Sequence, residues 1–118
     1  MSNYAKVHTG DEPRTELHDK LGLTGAEVSI NHVPAKGGVP FVHSHKENEE
    51  IYIILSGKGQ AVIDGETVPL TAGDCMLIQP NAKRQLSASN DEGMSYICIQ
   101  AKAGSLDEFT AEDAVIEQ

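Results

Sequence analysis

The most informative stretch of this chain is GVPFVHSHKENEEIYIILSGKG, residues 38–59. His43 and His45 are separated by one residue within an apolar segment, and Glu50 opens a second apolar segment shortly afterwards. Because successive side chains of a β-strand point to opposite faces, two histidines spaced in this way face the same side of an extended segment. Both imidazoles can then reach one ion at about 2.0–2.1 Å. The spacing therefore predicts half of a metal site.

Glu50 is the third candidate ligand. It shares a strand face with Tyr52, and the following run IYIIL is apolar on both faces, so we expect this strand to be covered on both sides. A carboxylate in so apolar a strand needs a cation to offset its desolvation. Glu49 would point to the opposite face of a regular strand and is the weaker candidate. Two histidines with ordinary hydrogen bonds and no metal remain the alternative.

The chain around this stretch has the pattern of serial β-strands. From residue 26 to residue 104, short apolar runs rich in Val, Ile and Tyr are broken by turns such as SGKG, AGD and PNA. IDGET, residues 63–67, is the strongest hairpin signal. Strands are predicted at 26–33, 39–44, 50–56, 59–63, 66–70, 75–78, 83–89 and 94–101. Many short strands with little helix between them favour a closed antiparallel barrel or jelly roll.

Helices are predicted only at the two ends. In DEPRTELHDKLG, residues 11–22, Asp11 can cap a short helix and Gly22 can end it. Near the other end, SLDE can form a capping box between Ser105 and Glu108, ahead of an acidic tail. The expected organisation is one domain, with an N-terminal segment and short helix at 1–25, a barrel at 26–104 and an acidic, partly helical C-terminal segment at 105–118.

The charge balance argues against one class of partner. The 118 residues carry a net charge of −9 with a pI near 4.8. So acidic a chain repels a phosphate backbone, and we expect no nucleic-acid partner. No apolar run approaches the ~20 residues of a membrane-spanning helix, and the N-terminus MSNYAKVHTGDEPR lacks the pattern of a signal peptide. These features predict a cytoplasmic protein without a membrane partner. Cys75 and Cys98 are then expected to be reduced core residues, with a disulfide between neighbouring strands as the alternative.

The segment from Gly37 to Gly57 resembles the first signature of the cupin superfamily. That signature consists of a glycine, five residues, His-x-His, three or four residues, a glutamate, six residues and a glycine. Gly37, His43, His45, Glu50 and Gly57 fill every fixed position.

The second cupin signature is partly present, in GDCMLIQPNAKRQ. Gly73 and Pro80 are in place, one residue further apart than in the commonest form. Ala82 stands where a glycine is usual, and Gln85 stands where the third histidine would be. The resemblance covers about residues 26–103.

The resemblance implies a small single-domain cupin, an all-β protein with a double-stranded β-helix, or jelly-roll, barrel. It also implies a divalent metal ion, which could be Fe, Zn, Mn or Ni. With Gln85 as a ligand, the set His43, His45, Glu50 and Gln85 is similar in composition to the zinc site of cupin-type phosphomannose isomerases. Without Gln85, the two histidines and the carboxylate suit Fe(II) with open positions. Such barrels commonly form homodimers, which agrees with the doubly apolar IYIIL strand.

Other polar residues are weaker candidates. Tyr52 is the first candidate for a catalytic acid or base, with a purely structural barrel-lining aromatic as the alternative. His32 leads into the signature and could line the mouth of the pocket. Surface positions are expected for His8, His18, Lys83 and Arg84, and steering of an acidic substrate is the alternative for the last two.

Three functions of different classes remain open. The first is a divalent-metal-dependent enzyme that acts on a small polar or anionic metabolite, as an isomerase, a lyase or a dioxygenase. The second is a non-catalytic protein that binds a small molecule or carbohydrate and serves as a sensor or accessory protein. The third is a metal-free enzyme resembling the nucleotide-sugar epimerases of the same superfamily. Such an enzyme needs basic residues to bind the nucleotide diphosphate, and because the chain has only nine Lys and Arg residues this function is the least favourable. Fold alone does not decide between them.

Overall fold

The structure is a computed structural model that describes residues 3–106 and 110–117. Its elements in chain order are β1 (Arg14–Glu16), α1 (Leu17–Leu21), β2 (Glu27–Val33), β3 (Asn48–Ile63), β4 (Glu66–Thr71), β5 (Cys75–Ile78), β6 (Arg84–Ala88), β7 (Met94–Lys102) and α2 (Thr110–Asp113). Every strand pair found among these residues is antiparallel. The expected all-β fold, a double-stranded β-helix barrel with a short N-terminal helix, is confirmed. Neither helix of the described ranges has the length and apolar character that a membrane crossing requires.

The long strand β3 connects the two sheets of the barrel. Its first half pairs with β5 and β7, and its second half pairs with β4 and β6. A register shift between Ile54 and Ser56 lets the strand bend, and Gly57 follows with a φ of 78°. A Cβ atom at Gly57 would overlap the carbonyl oxygen of Gly93, so this bend requires glycine. The prediction of separate strands at 50–56 and 59–63 is therefore wrong, because one continuous strand passes through the bend from the first sheet into the second.

The segment between β2 and β3 is an arch rather than the strand predicted at 39–44. It makes two isolated bridges to β6, one of them between His43 and Arg84. The backbone N–H groups of Val39 and His43 donate to carbonyl groups of β6 at 2.9 and 3.1 Å. Pro40 lies between these two points and has no N–H group to contribute to a ladder. The arch is thus held at both ends, which fixes His43 beside β6.

The N-terminal helix is shorter than predicted over 11–22, and Asp11 does not cap it. Instead β1 precedes α1 and pairs with β2, with Thr15 opposite Ile30. Thr15 is buried, so pairing and burial at the sheet edge outweigh the local preference for helix. Gly22 adopts the left-handed conformation and ends α1, as predicted. The capping box predicted at 105–108 extends outside the described residues.

The predicted alternation along β3 is confirmed. Glu50, Tyr52 and Ile54 are buried, and the side chains between them lie on the other face. The barrel core is formed by Tyr52, Ile54, Ala61, Leu70, Ile78, Leu86, Ala88, Met94, Tyr96 and Cys98. On the opposite side, Leu55 and Leu77 are 50% and 51% exposed. Together with the half-buried Ile51 and Ile53 they form an apolar surface that we call the outer sheet face.

Candidate metal centre

Three of the predicted ligands meet at one end of the barrel. His43 and His45 come from the arch, and Glu50 is the third residue of β3. Potential ligand atoms of the three side chains all lie within 4.8 Å of one another. Two backbone hydrogen bonds between His43 and Arg84, at 3.1 and 2.9 Å, hold the arch against β6. The fold therefore brings together two imidazoles and a carboxylate that could contact a single cation.

Glu50 is held by groups on both of its carboxylate oxygens. Oε1 accepts hydrogen bonds from the hydroxyl of Tyr52 at 2.8 Å and from Nη1 of Arg84 at 3.2 Å. Oε2 lies 3.2 Å from Nε2 of His45. Only 2% of Glu50 is exposed. Because Oε1 already has two donors, Oε2 is the oxygen available to a cation shared with the histidines.

Arg84 is a buried part of this centre, and the expectation of an exposed charge is wrong. Only 1% of the residue is exposed. In addition to its bond to Glu50, Nη2 donates to the carbonyl of Gln79 at 2.6 Å and Nε donates to that of Ala82 at 3.0 Å. All three guanidinium nitrogens therefore have acceptors. A buried carboxylate paired in this way avoids most of the desolvation cost of an isolated charge.

Gln85 lies apart from the three donors. Side chains alternate along β6, so the buried Arg84 and the half-buried Gln85 occupy opposite faces. Nε2 of Gln85 donates to the backbone carbonyl of Val39 at 2.9 Å, which ties β6 to the arch. The group that reaches Glu50 from this part of the second signature is the guanidinium of Arg84. The contacts of Gln85 thus give no support to its expected role as a fourth ligand.

Replacing Gln85 with histidine should leave metal affinity within about twofold of wild type, because the new imidazole would face away from the other donors. Isothermal titration with zinc measures this directly. A large gain in affinity, of the order of the tenfold or more that an added imidazole ligand provides, would instead place residue 85 among the ligands.

His43 has an unsatisfied ring nitrogen that fits a metal or ligand contact. Its Nδ1 atom is buried and has no hydrogen-bond partner among the described residues. Leaving a buried polar atom unpaired costs about 1–3 kcal/mol, so such an atom calls for a partner. Burial lowers the pKa of His43, with the charges of His45 and Arg84 acting in the same direction and Glu50 opposing them. The imidazole therefore favours its neutral form, which is the form that binds metal. The donor set fits a divalent cation.

Tyr52 is a hydrogen-bond donor fixed on Glu50. It is 3% exposed, and burial raises its pKa far above the usual value, with a further contribution from the charge of Glu50. Its hydroxyl therefore stays protonated.

The two cysteines differ in their surroundings. Burial raises the pKa of the Cys98 thiol to about 12. Both cysteines are free, as predicted, but only Cys98 is a core residue, since Cys75 is exposed.

A cavity of about 260 Å³ opens beside these residues. It is lined by Arg14, Val39, Phe41, His43, Glu50, Tyr52, Tyr96, Cys98 and Gln100. The sequence analysis did not identify Arg14 and Gln100. In β1 the exposed Arg14 and Glu16 flank the buried Thr15, a pattern that could have indicated an edge strand.

The remaining histidines lie outside this centre. His32 does not line the cavity, and its Nδ1 atom instead lies 2.8 Å from the hydroxyl of Ser95. His8, His18 and Lys83 are exposed, as expected.

Comparisons with known proteins agree with this architecture. The Cupin domain family model matches residues 30–100. A cupin protein from Bacteroides fragilis of known crystal structure is 58% identical, with complete coverage of both chains and a TM-score of 0.96. A predicted oxalate decarboxylase from Thermotoga maritima is 23% identical over 64% of each chain with a TM-score of 0.60, a likeness of fold alone.

The similarity to curated proteins is more distant and covers only part of each of them. An uncharacterized protein from Methanocaldococcus jannaschii is 29% identical over 62 residues, which make up 52% of this chain and 50% of that protein. The chain thus spans half or less of the length of the curated relatives it matches. The match of the family model over more than half of the chain, on a barrel that carries His43, His45 and Glu50 at one end, shows that this protein belongs to the cupin domain family.

Proposed function

We propose that this cupin binds one divalent metal ion through His43, His45 and Glu50 and uses it to act on a small polar or anionic metabolite. The observation that carries the proposal is the approach of the three sets of donor atoms to within 4.8 Å of one another. The buried, unpartnered Nδ1 atom of His43 adds to it. When bound, the ion would supply a Lewis acid that polarises an oxygen of the ligand.

The charge of the centre favours an anionic ligand. A divalent ion, the carboxylate of Glu50 and the guanidinium of Arg84 together carry a net charge of about +2. Arg84 thus adds one positive charge that the metal ligands alone do not supply. The cavity of about 260 Å³ lies just below the usual range of ligand pockets, which suits a metabolite of few heavy atoms.

An isomerase, lyase or dioxygenase activity is the enzymatic form of this proposal. Tyr52 can position Glu50 and keep its own proton, so its geometry supports a role as a hydrogen-bond donor more than a role as a general base. Once His43 and Glu50 hold the ion, the other described residues that line the cavity offer no general base, so a proton acceptor would come from the ligand or from water.

A non-catalytic binding protein is the second candidate, favoured by a specific observation. Tyr52 and Arg84 both donate hydrogen bonds to Glu50, so these groups beside the predicted ion are already paired and need not exchange protons. Such a centre would retain a ligand through the metal without transforming it.

Oxygen uptake and product analysis distinguish these forms. The purified protein is loaded separately with Fe(II), Zn, Mn and Ni, and incubated with small hydroxy acids, keto acids and sugar phosphates. Oxygen consumption with Fe(II) supports a dioxygenase, and conversion with redox-silent zinc supports an isomerase or lyase. Saturable ligand binding without product under every metal supports the binding protein, and failure to bind any metal contradicts the proposal.

We further propose that the chain forms a homodimer through the outer sheet face. This surface is apolar and lies on a regular sheet, so a second copy can cover it with the same residues in a two-fold arrangement. Leu77→Glu should convert the dimer to a monomer near the chain mass of 12.6 kDa, measured by light scattering. Val42→Glu, at a similarly exposed apolar residue outside this face, should remain dimeric. A wild-type monomer, or a dimer unaffected by Leu77→Glu, contradicts this arrangement.

A further inference from the structure

Arg14 is the cationic residue on the cavity wall that the metal centre does not use. β1 carries it to the cavity by pairing with β2, where Arg14 lies opposite Asn31. Nη1 of Arg14 donates to Oδ1 of Asn31 at 3.0 Å, and Asn31 is itself 3% exposed and donates to the hydroxyl of Ser29 at 3.0 Å. Nε donates to Glu16 at 3.0 Å. The guanidinium is thus held in place from two sides.

Part of this guanidinium remains available to a ligand. Among the residues that the structure describes, Nη2 of Arg14 makes no hydrogen bond to protein, whereas Nε and Nη1 each make one. The side chain is 47% exposed. Burial raises the pKa of Tyr96 and of Cys98 to about 12, and the positive charge of Arg14 opposes both increases. Its charge therefore acts on the inner wall of the cavity and not only on solvent.

The same small cavity is lined by Arg14 and by two of the three clustered metal ligands. His43 and Glu50 line it together with Arg14, in a volume of about 260 Å³. A ligand of a few heavy atoms that contacts an ion at the histidines is therefore close to the free Nη2 group. A guanidinium offers its N–H groups in a planar fork that matches the two oxygens of a carboxylate.

We propose that Arg14 forms a carboxylate-binding subsite, so that the ligand is a small carboxylic acid with a second oxygen group directed at the metal centre. This assignment rests on the proposed metal function, and a dicarboxylate is its simplest example. Gln100, which also lines the cavity, offers an amide beside the same subsite. Arg14 would then select for charge and length, while the ion holds the other end of the molecule and the buried charge of Arg84 adds only a long-range attraction.

The alternative is that Arg14 only fastens β1 to β2 through Asn31 and Glu16. That role would affect stability but would not distinguish one ligand from another. The two roles are separated by titrating malonate, succinate and inorganic phosphate into the full-length protein, with and without one equivalent of zinc. The variants are Arg14→Gln and the matched charge change Lys102→Gln, at an exposed residue outside the cavity. Zinc affinity and thermal stability are measured first for each.

Arg14→Gln should weaken binding of the better dicarboxylate by about 10–100-fold, the effect of losing a charge-assisted hydrogen-bond pair. Zinc affinity should change by less than about threefold, because the charge of the half-exposed Arg14 is largely screened by solvent. Lys102→Gln should bind as wild type does. Unchanged dicarboxylate affinity in Arg14→Gln overturns the subsite. So does wild-type protein that binds neither dicarboxylate at about 10 mM, the weak limit for a specific small-molecule site, or that binds phosphate more tightly than both.

A second measurement uses only the wild-type protein, so it tests the subsite even if Arg14→Gln fails to fold. In the wild-type protein, the Nε–H signal of Arg14 in a ¹⁵N NMR spectrum should shift on addition of malonate, and an unmoved signal at saturating malonate contradicts the subsite. Failure of the metal proposal has a different signature. Zinc then does not bind, and any Arg14-dependent binding of malonate persists in the metal-free protein.

Discussion

Replacing Arg84 with methionine should lower the free energy of unfolding by about 3–5 kcal/mol, because it leaves the buried carboxylate of Glu50 without its paired guanidinium. Methionine fills similar space but donates no hydrogen bond to Glu50 or to the carbonyls of Gln79 and Ala82. Chemical denaturation of the metal-free protein measures the change. Affinity of the folded variant for zinc should rise by about tenfold or more, because a positive charge next to the ion is removed.

Two controls separate the buried pair from a general loss of packing. Adding Glu50→Leu to Arg84→Met should recover much of the lost stability, since no buried charge then remains unpaired. Lys102→Met, which breaks the exposed pair with Glu47, should change stability by less than about 1 kcal/mol. An Arg84→Met protein as stable as wild type would contradict the assigned role of this ion pair.

Replacing His43 with alanine should weaken zinc binding by about 100-fold, because one of three donors is lost. Stability of the metal-free protein should stay the same or increase slightly, because the unpartnered Nδ1 atom is removed. The stabilisation gained from metal should then fall to about 0.4 kcal/mol at a zinc concentration about 100 times the wild-type dissociation constant. For the wild-type protein at a free zinc concentration about 100 times its dissociation constant, that gain is about 2.7 kcal/mol.

His32→Ala is the matched control for this prediction. His32 is a half-buried histidine that contacts Ser95 outside the cavity, so its loss should leave zinc affinity unchanged. Thermal unfolding with and without zinc compares the three proteins. If metal-free His43→Ala unfolds far more easily than the metal-free wild type, His43 is a packing residue and not a ligand.

The strands and the ligand face were predictable because they depend on local pattern. Alternation along IYIIL placed Glu50 and Tyr52 on the buried face, and β5 begins at Cys75 and ends at Ile78, as its flanking turns indicate. The arch was not predictable from apolar content, since residues 39–44 have the composition of a strand. There Pro40 and the two contacts with β6 decide the conformation.

The arginines of the site were missed for two different physical reasons. Arg84 and Gln85 are adjacent, so a difference of one residue in the preceding loop determines which of them faces the barrel interior. Gln85 was matched to a histidine of the signature by sequence spacing. Spacing alone does not show which of the two adjacent side chains faces the interior. Arg14 reaches the cavity only because β1 pairs with the edge of β2. This pairing joins residues that are distant in sequence, so the pattern of residues 11–22 alone does not predict it.

A zinc titration of the wild-type protein, followed by NMR of the histidine rings, probes the proposed metal centre without any substitution. We predict saturation at one equivalent per chain, with large shifts of the His43 and His45 ring signals and none of those of His18 and His32. The absence of saturable binding, or shifts confined to His18 and other exposed histidines, would contradict a metal centre formed by the arch and β3.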